Sequence, residues 1–151
     1  MYYHQQQGGN KVNYPVRFTY INKINNWWPP EKIATDLGVP GFSNYHMYNY
    51  VAFSFWTYQN GPVDIALLWS DPMKYFGNPN NFGSSQDQVQ KNIKAKYNNA
   101  GIKLMVSAFG STELPTTQGI DPIACAEKLG NFVLNNNLDG VDIDWEDNYA
   151  M

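Results

Sequence analysis

The stretch Leu138-Asp139-Gly140-Val141-Asp142-Ile143-Asp144-Trp145-Glu146 alternates large apolar with acidic residues from position 141 onward. Successive side chains of a β-strand point to opposite faces, so the pattern predicts a strand with one acidic and one apolar face. Neighbouring carboxylates on the acidic face then lie ~6.6 Å apart along the strand. Asp139 has the wrong parity for this face and is predicted to shape the turn before the strand, where Gly140 absorbs the irregularity.

The acidic row admits three interpretations: a solvated face, a metal site or a catalytic site. Acidic residues are poor strand formers, and stacked like charges cost free energy, which disfavours a merely solvated face. Carboxylates suit hard cations, but the chain offers no partner ligands at a telling spacing. The sequence therefore predicts a carboxylate catalytic site, without metal or cofactor.

Three further strands are predicted upstream, at residues 16–21, 48–57 and 102–107. The second is almost uninterruptedly apolar, as in a strand buried within a parallel sheet. Helices are predicted over 85–100 and from Pro122 to about residue 134, begun by Ser85 and Asp121 respectively, with shorter helical segments at 31–37 and 64–69. The order β-β-α-β-α-β predicts an α/β fold with a parallel sheet.

The quoted stretch resembles the signature of glycoside hydrolase family 18, the chitinases and related endo-N-acetylglucosaminidases. That signature reads Asp-x-x-Asp-x-Asp-x-Glu, and its fixed positions are all filled here, from Asp139 to Glu146. The resemblance implies a (β/α)₈ TIM barrel in which this stretch is the fourth strand. Such a barrel normally needs about 250 residues and eight strands. Residues 14–151 are therefore expected to form the N-terminal half of a family-18-type catalytic barrel, after a flexible arm at residues 1–13.

A four-stranded parallel sheet has two open edges, and three states of the chain follow from that. In the first state the chain is a fragment of a full barrel, in the second two copies self-associate through the open edges, and in the third the chain is a marginal half-domain. The first state is favoured, because a closed barrel leaves no edge unpaired.

The chemistry follows from the position of two acids. Asp144 and Glu146 share one face of one strand, so both approach a sugar from the same side, and the nucleophile must come from another strand or from the substrate. The resemblance implies the substrate: its 2-acetamido oxygen attacks the anomeric carbon. On that mechanism Glu146 protonates the leaving oxygen, Asp144 orients the acetamide, and Asp142 shares a proton with Asp144.

The resemblance also implies substrate-binding residues, which are Tyr20, Phe53, Ser107, Trp145 and Tyr149. The chain departs from the family at two places. Phe109 stands where a glycine is expected after the third strand, and Asp147 stands where many relatives carry tyrosine.

The composition of the chain limits the classes of molecule that it is expected to bind. Aromatic residues make up 16% of the chain and charged residues 15%, a balance that suits a ring-lined sugar cleft as well as a core. The net charge of −3 argues against nucleic acid and anionic membranes, and no stretch is long and apolar enough to span a bilayer. No leader segment is visible, although the resemblance implies an extracellular protein.

The expected function is hydrolysis of chitin or another glycan containing β-1,4-linked N-acetylglucosamine, performed as part of a full barrel. Two alternatives stay open: a chitinase-like lectin that binds N-acetylglucosamine oligomers without cutting, and an inactive fragment. The acid Glu146 is present, whereas its loss is the usual mark of the lectins, so the enzyme is favoured.

Overall fold

The computed structural model describes residues 16–21, 48–76, 82–99 and 101–148. These residues contain a five-stranded sheet made of β1 (Phe18–Ile21), β2 (Tyr50–Thr57), β3 (Gly61–Pro62), β4 (Lys103–Phe109) and β5 (Gly140–Asp144). Four strands are parallel and lie in the order β1-β2-β4-β5, while β3 pairs antiparallel with β2. The predicted α/β class with a parallel sheet is confirmed. The predicted arm and the helix predicted at 31–37 lie outside the described residues.

The described residues form four α-helices beside the strands: α1 (Asp64–Ser70), α2 (Pro72–Phe76), α3 (Gln86–Asn99) and α4 (Pro122–Asn135). The two longer ones begin as predicted. The Ser85 hydroxyl accepts a hydrogen bond from the backbone N–H of Gln88 at 3.3 Å. The Asp121 carboxylate accepts from the N–H groups of Ile123 and Ala124, so it caps the first turn of α4.

Some details differ from the prediction. Helix α2 is absent from the sequence-based prediction; it begins at Pro72, and proline fits the first position of a helix without losing a hydrogen bond. The hairpin strand β3 was also missed, since two residues carry no periodicity. Strand β5 ends at Asp144, so Glu146 lies just beyond it.

The sheet has two chemically different faces. Paired residues of parallel strands point to the same side, so the register assigns each side chain to a face. The helix face carries Val51, Phe53, Leu104 and Val106, which form one core with the apolar stripes of α1, α3 and α4. Its larger side chains are almost fully buried, which makes this layer the main source of hydrophobic stabilisation.

The opposite face of the sheet, here called the inner face, is more polar. Register places on it Tyr20 of β1, Ser54 of β2, Ser107 of β4, and both Asp142 and Asp144 of β5. The candidate site is built on this face.

None of the helices among the described residues combines the length and the apolar character that crossing a membrane requires.

Candidate active site

Asp142 lies at the middle of β5, on the inner face. It lies on β5 opposite Ser107 of β4, and the buried Ser107 hydroxyl donates a hydrogen bond of 2.8 Å to the Asp142 carboxylate. The pair exists because both residues have the parity of the inner face on neighbouring strands. The structure therefore brings together two of the site residues expected from the sequence.

Tyr20 reaches the same carboxylate from the far edge of the sheet. Burial raises the pKa of Tyr20 to about 12, and the charge of Asp142, a hydrogen bond to Asp142 and the charge of Asp144 act in the same direction. The neutral hydroxyl is favoured because it donates to a carboxylate, whereas a phenolate would repel both acids. Tyr20 is 48% exposed, so it faces solvent as well as the acids.

The contact between Tyr20 and Asp142 shows that the sheet curves. Three interstrand spacings separate β1 from β5, which amounts to about 14 Å in a flat sheet. Side chains that stand perpendicular to a flat sheet would stay that far apart and could not hydrogen-bond. The sheet is therefore concave on its inner face, and the acids lie in the concavity.

Asp144 and Glu146 follow Asp142 toward the carboxyl end of β5. Asp144 is the last residue of the strand, pairs with Phe109 of β4 and is half-buried, while Glu146 is exposed two residues later. Ligands of α/β proteins bind beyond the carboxyl ends of the parallel strands, and Glu146 lies in that region.

Aromatic rings line the inner face beside the acids. The ring of Phe18 lies 5.1 Å from that of Tyr20 in an edge-to-face arrangement, and 6.3 Å from the stacked ring of Tyr50. Phe18 and Tyr50 were not predicted as site residues. The signal was present, because Phe18 has the parity of Tyr20 and Tyr50 is its register partner on β2.

Phe53 does not join the site. Its side chain is 4% exposed, and its ring packs 5.1 Å from that of Trp69 on the helix face. Phe53 lies between the inner-face positions Ala52 and Ser54 on β2. Successive side chains of a strand point to opposite faces, so the side chain of Phe53 points away from the inner face. The structure therefore places this expected substrate-binding residue in the core.

Trp145 lies at the end of the strand with 41% of its surface exposed, and its ring meets that of Phe109 edge-to-face at 6.1 Å. Phe109 has φ 80° and ψ −83°, which is a backbone conformation that glycine adopts freely and a bulky residue rarely adopts. The family's glycine would fit this backbone. In this chain a buried phenylalanine ring occupies the position and supports Trp145.

Asp139 and Gly140 lie at the opposite end of β5. The Asp139 carboxylate accepts a hydrogen bond from the N–H of Leu104 and forms a 2.9 Å ion pair with Lys94 of α3. A Cβ on Gly140 would come within 3.1 Å of the Met105 sulfur. Both residues shape the entry to the strand, which agrees with the structural role inferred from parity.

Two buried carboxylates lie outside the motif: Glu113, which the sequence did not single out, and Asp147, which it marked only as a departure from the family pattern. Glu113 is 2% exposed and accepts from the N–H groups of Tyr58 and Gln59, at 2.6 and 3.0 Å. Asp147 is fully buried, and both of its oxygens accept hydrogen bonds from Thr117. Burial opposes ionisation of Asp147, but the Thr117 hydroxyl and the N–H groups of Thr117 and Thr116 outweigh it and lower its pKa.

Two further observations complete the site. The hydroxyl of Ser54 is buried on the inner face and has no hydrogen-bond partner among the described residues. Within the same residues, no three acidic, histidine or cysteine side chains are grouped so that they could hold a metal ion. Tyr149, the remaining expected substrate-binding residue, lies outside the described part of the chain.

Comparison of the chain with protein-family models, with curated proteins and with solved structures found no match.

Proposed function

We propose that this chain carries the acid-bearing half of a (β/α)₈ glycoside hydrolase that cleaves β-1,4-linked N-acetylglucosamine polymers such as chitin. The observation that carries the proposal is the arrangement of the signature acids on a concave sheet. Asp142 is bound by Ser107 and Tyr20, Asp144 ends the strand, and Glu146 follows at its carboxyl end. The strand that the motif predicts therefore lies in a concave sheet, and the concavity offers space for a sugar.

The proposed mechanism is retaining and substrate-assisted. Asp144 and Glu146 come from one strand end, so both reach a bound sugar from the same side, and the 2-acetamido oxygen of the substrate serves as nucleophile. Glu146 donates its proton to the leaving glycosidic oxygen and afterwards activates water. Asp144 orients the acetamide and stabilises the positive charge of the cyclic intermediate.

The network around Asp142 supports the roles of its neighbours. Ser107 donates a hydrogen bond to Asp142 and so orients this carboxylate in the middle of the acid row, where it also interacts with Tyr20. The rings of Phe18, Tyr20 and Tyr50 supply flat apolar surfaces on the same face, against which the apolar side of a sugar can lie.

The test is hydrolysis of chitotetraose by the complete protein that carries this chain and by its Glu146→Gln variant. We expect release of reducing ends with retained β configuration, and a loss of about 100-fold or more in kcat in the variant, because general acid catalysis is removed. Glu127→Gln, an exposed acid of α4, is the matched control and should behave like wild type.

Substrate assistance has its own test within the same assay. An oligomer of β-1,4-linked glucosamine lacks the acetamide and should not be cleaved at all. Binding of chitotetraose without cleavage by the wild type would identify a lectin instead, and a loss of both binding and cleavage in the isolated chain alone would identify that chain as an inactive fragment.

A further inference from the structure

The segment that carries Glu146 is not held by the sheet. Strand β5 ends at Asp144, so within the described part of the chain no ladder hydrogen bond fixes the backbone of the next four residues. A short turn forms there instead, in which the N–H of Asn148 donates to the carbonyl of Glu146 at 2.9 Å. The position of an exposed acid on such a segment depends on whatever anchors the residues beside it.

Asp147 supplies that anchor. Its Oδ2 accepts from the N–H of Thr117 at 2.8 Å, and its Oδ1 accepts from the Thr117 hydroxyl at 2.6 Å. Both bonds end on a carboxylate that is fully buried, where charge-assisted hydrogen bonds are strong. The residue directly after Glu146 is therefore fastened at two points to the loop between β4 and α4.

The loop that holds Asp147 is itself well tied. Residues 114–120 close on themselves through three backbone hydrogen bonds, from Gln118 to Leu114, from Gly119 to Thr116 and from Ile120 to Pro115. Immediately before them, the buried Glu113 binds the backbone of Tyr58 and Gln59 in the turn between β2 and β3. Two buried carboxylates thus connect the segments that follow β2, β4 and β5.

We infer that Asp147 is a positioning residue for Glu146. The Asp147–Thr117 clasp, which consists of the two hydrogen bonds between these residues, holds the general acid where it can reach the glycosidic oxygen. The inference rests on the proposed function. It assigns a purpose to the acid that this chain carries where many members of the resembling family have tyrosine. A bidentate carboxylate clasp fixes the backbone beside Glu146 without placing another group in the cleft.

The experiment compares Asp147→Ala with wild type on two substrates that differ in their need for an acid. A misplaced acid should lower kcat on chitotetraose by roughly 10- to 100-fold, with KM changed less than about twofold. The 4-nitrophenyl glycoside of diacetylchitobiose has a leaving group that departs with little protonation, so its kcat should fall less than about threefold. Equal losses on both substrates would overturn the inference.

Variants of Thr117 keep the test valid if Asp147→Ala fails to fold. Thr117→Ser retains both donors and should match wild type, whereas Thr117→Val loses the hydroxyl and should show the same leaving-group dependence as Asp147→Ala. Asp121→Ala removes two hydrogen bonds at the start of α4, remote from Glu146 along the chain, and should show no such dependence. Dependence of equal size in Asp121→Ala would contradict the inference.

The two possible failures are distinguishable. A complete protein that carries this chain and cleaves neither substrate overturns the proposed function and the positioning role together. An active wild type whose Asp147→Ala variant cleaves both substrates normally overturns the positioning role alone.

Discussion

At the scale of single residues, Phe109 shows a conflict between backbone and side chain. Its φ of 80° lies in the region that favours glycine, yet its ring is 5% exposed and contacts Trp145. The backbone strain of such a residue is of order 1–3 kcal/mol, while burial of a phenylalanine ring contributes more, so the net effect of Phe109 is stabilising. The next residue, Gly110, also has positive φ, and a Cβ there would come within 2.9 Å of the Phe55 ring.

The conflict predicts an unusual order of stabilities. Phe109→Gly loses the ring but relieves the backbone, whereas Phe109→Ala loses the ring and keeps the strain, so glycine should be the more stable variant by about 1 kcal/mol. Both should be less stable than wild type, by about 2–5 kcal/mol. Urea denaturation measures the order. At Val106, a buried β4 position without positive φ, alanine should be better than glycine, and the same order at both sites would refute the argument.

Tyr20 predicts a pH dependence at the same scale. Its pKa is raised from 10.0 to about 12. The folded state therefore binds the phenolic proton more tightly than the unfolded state does. The resulting stabilisation is complete below pH 10 and is lost as the pH rises toward 12.

Difference titration of wild type against Tyr20→Phe by phenolate absorbance should isolate one tyrosine with a midpoint near pH 12. Asp142→Asn removes the charge that disfavours the phenolate, so the same difference measured in that background should move toward pH 10. A midpoint that does not respond to Asp142→Asn would show that the two groups are not in contact.

At the scale of elements, β5 receives its position from a buried amide network at its entry. Gln90 of α3 is fully buried, donates to the carbonyl of Trp69 in α1 and to the side chain of Asn136, and accepts from the side chain of Asn137. Trp69 also donates through its indole N–H to the carbonyl of Asn136. Two helices and the turn before β5 are thus joined by polar groups that satisfy one another.

This network predicts that Gln90→Leu is destabilising although leucine is apolar and similar in size. The substitution leaves the Trp69 carbonyl and the side-chain oxygen of the buried Asn136 without the donor that Gln90 supplies, which should cost about 2–3 kcal/mol in the free energy of unfolding. Thermal or urea unfolding measures it. Gln118→Leu, at an exposed glutamine in the loop before α4, is the control and should change stability by less than about 0.5 kcal/mol.

Many of the strands and helices were predictable from the sequence. The acid row at 142, 144 and 146, the capping residues Ser85 and Asp121, and the apolar stripe of α3 locate their elements through local periodicity. The face to which Phe53 points was not predictable, because a nearly all-apolar strand has no alternation that tells one face from the other. Only pairing with β4 decides its direction.

At the scale of the whole molecule, the curvature of the sheet creates the site. Residues on β1 and β5 meet only because the inner face is concave, as the bond between Tyr20 and Asp142 shows. Strand β2 contributes a register shift between Ser54 and Trp56, at a cis peptide bond between Ser54 and Phe55. The self-association expected from open sheet edges remains a prediction.

Curvature predicts energetic coupling between the two outermost parallel strands. A double-mutant cycle of Tyr20→Phe and Asp142→Asn should give a coupling of about 1 kcal/mol, because the hydrogen bond joins the two side chains directly. Thr19 lies on the same strand but points to the other face, so Thr19→Val should be additive with Asp142→Asn. Additivity in both cycles would indicate a sheet too flat to form the site.

The sequence by itself determined the four parallel strands, the longer helices, the parallel α/β order and the row of acids, because periodicity and capping act over a few neighbouring residues. Only the tertiary structure decided which rings join the acids, that Phe53 turns into the core, and that Asp147 is fastened to Thr117. The partners in these contacts lie up to 122 positions apart, as for Tyr20 and Asp142. Their meeting depends on strand register and on the curvature of the sheet, which no local pattern encodes.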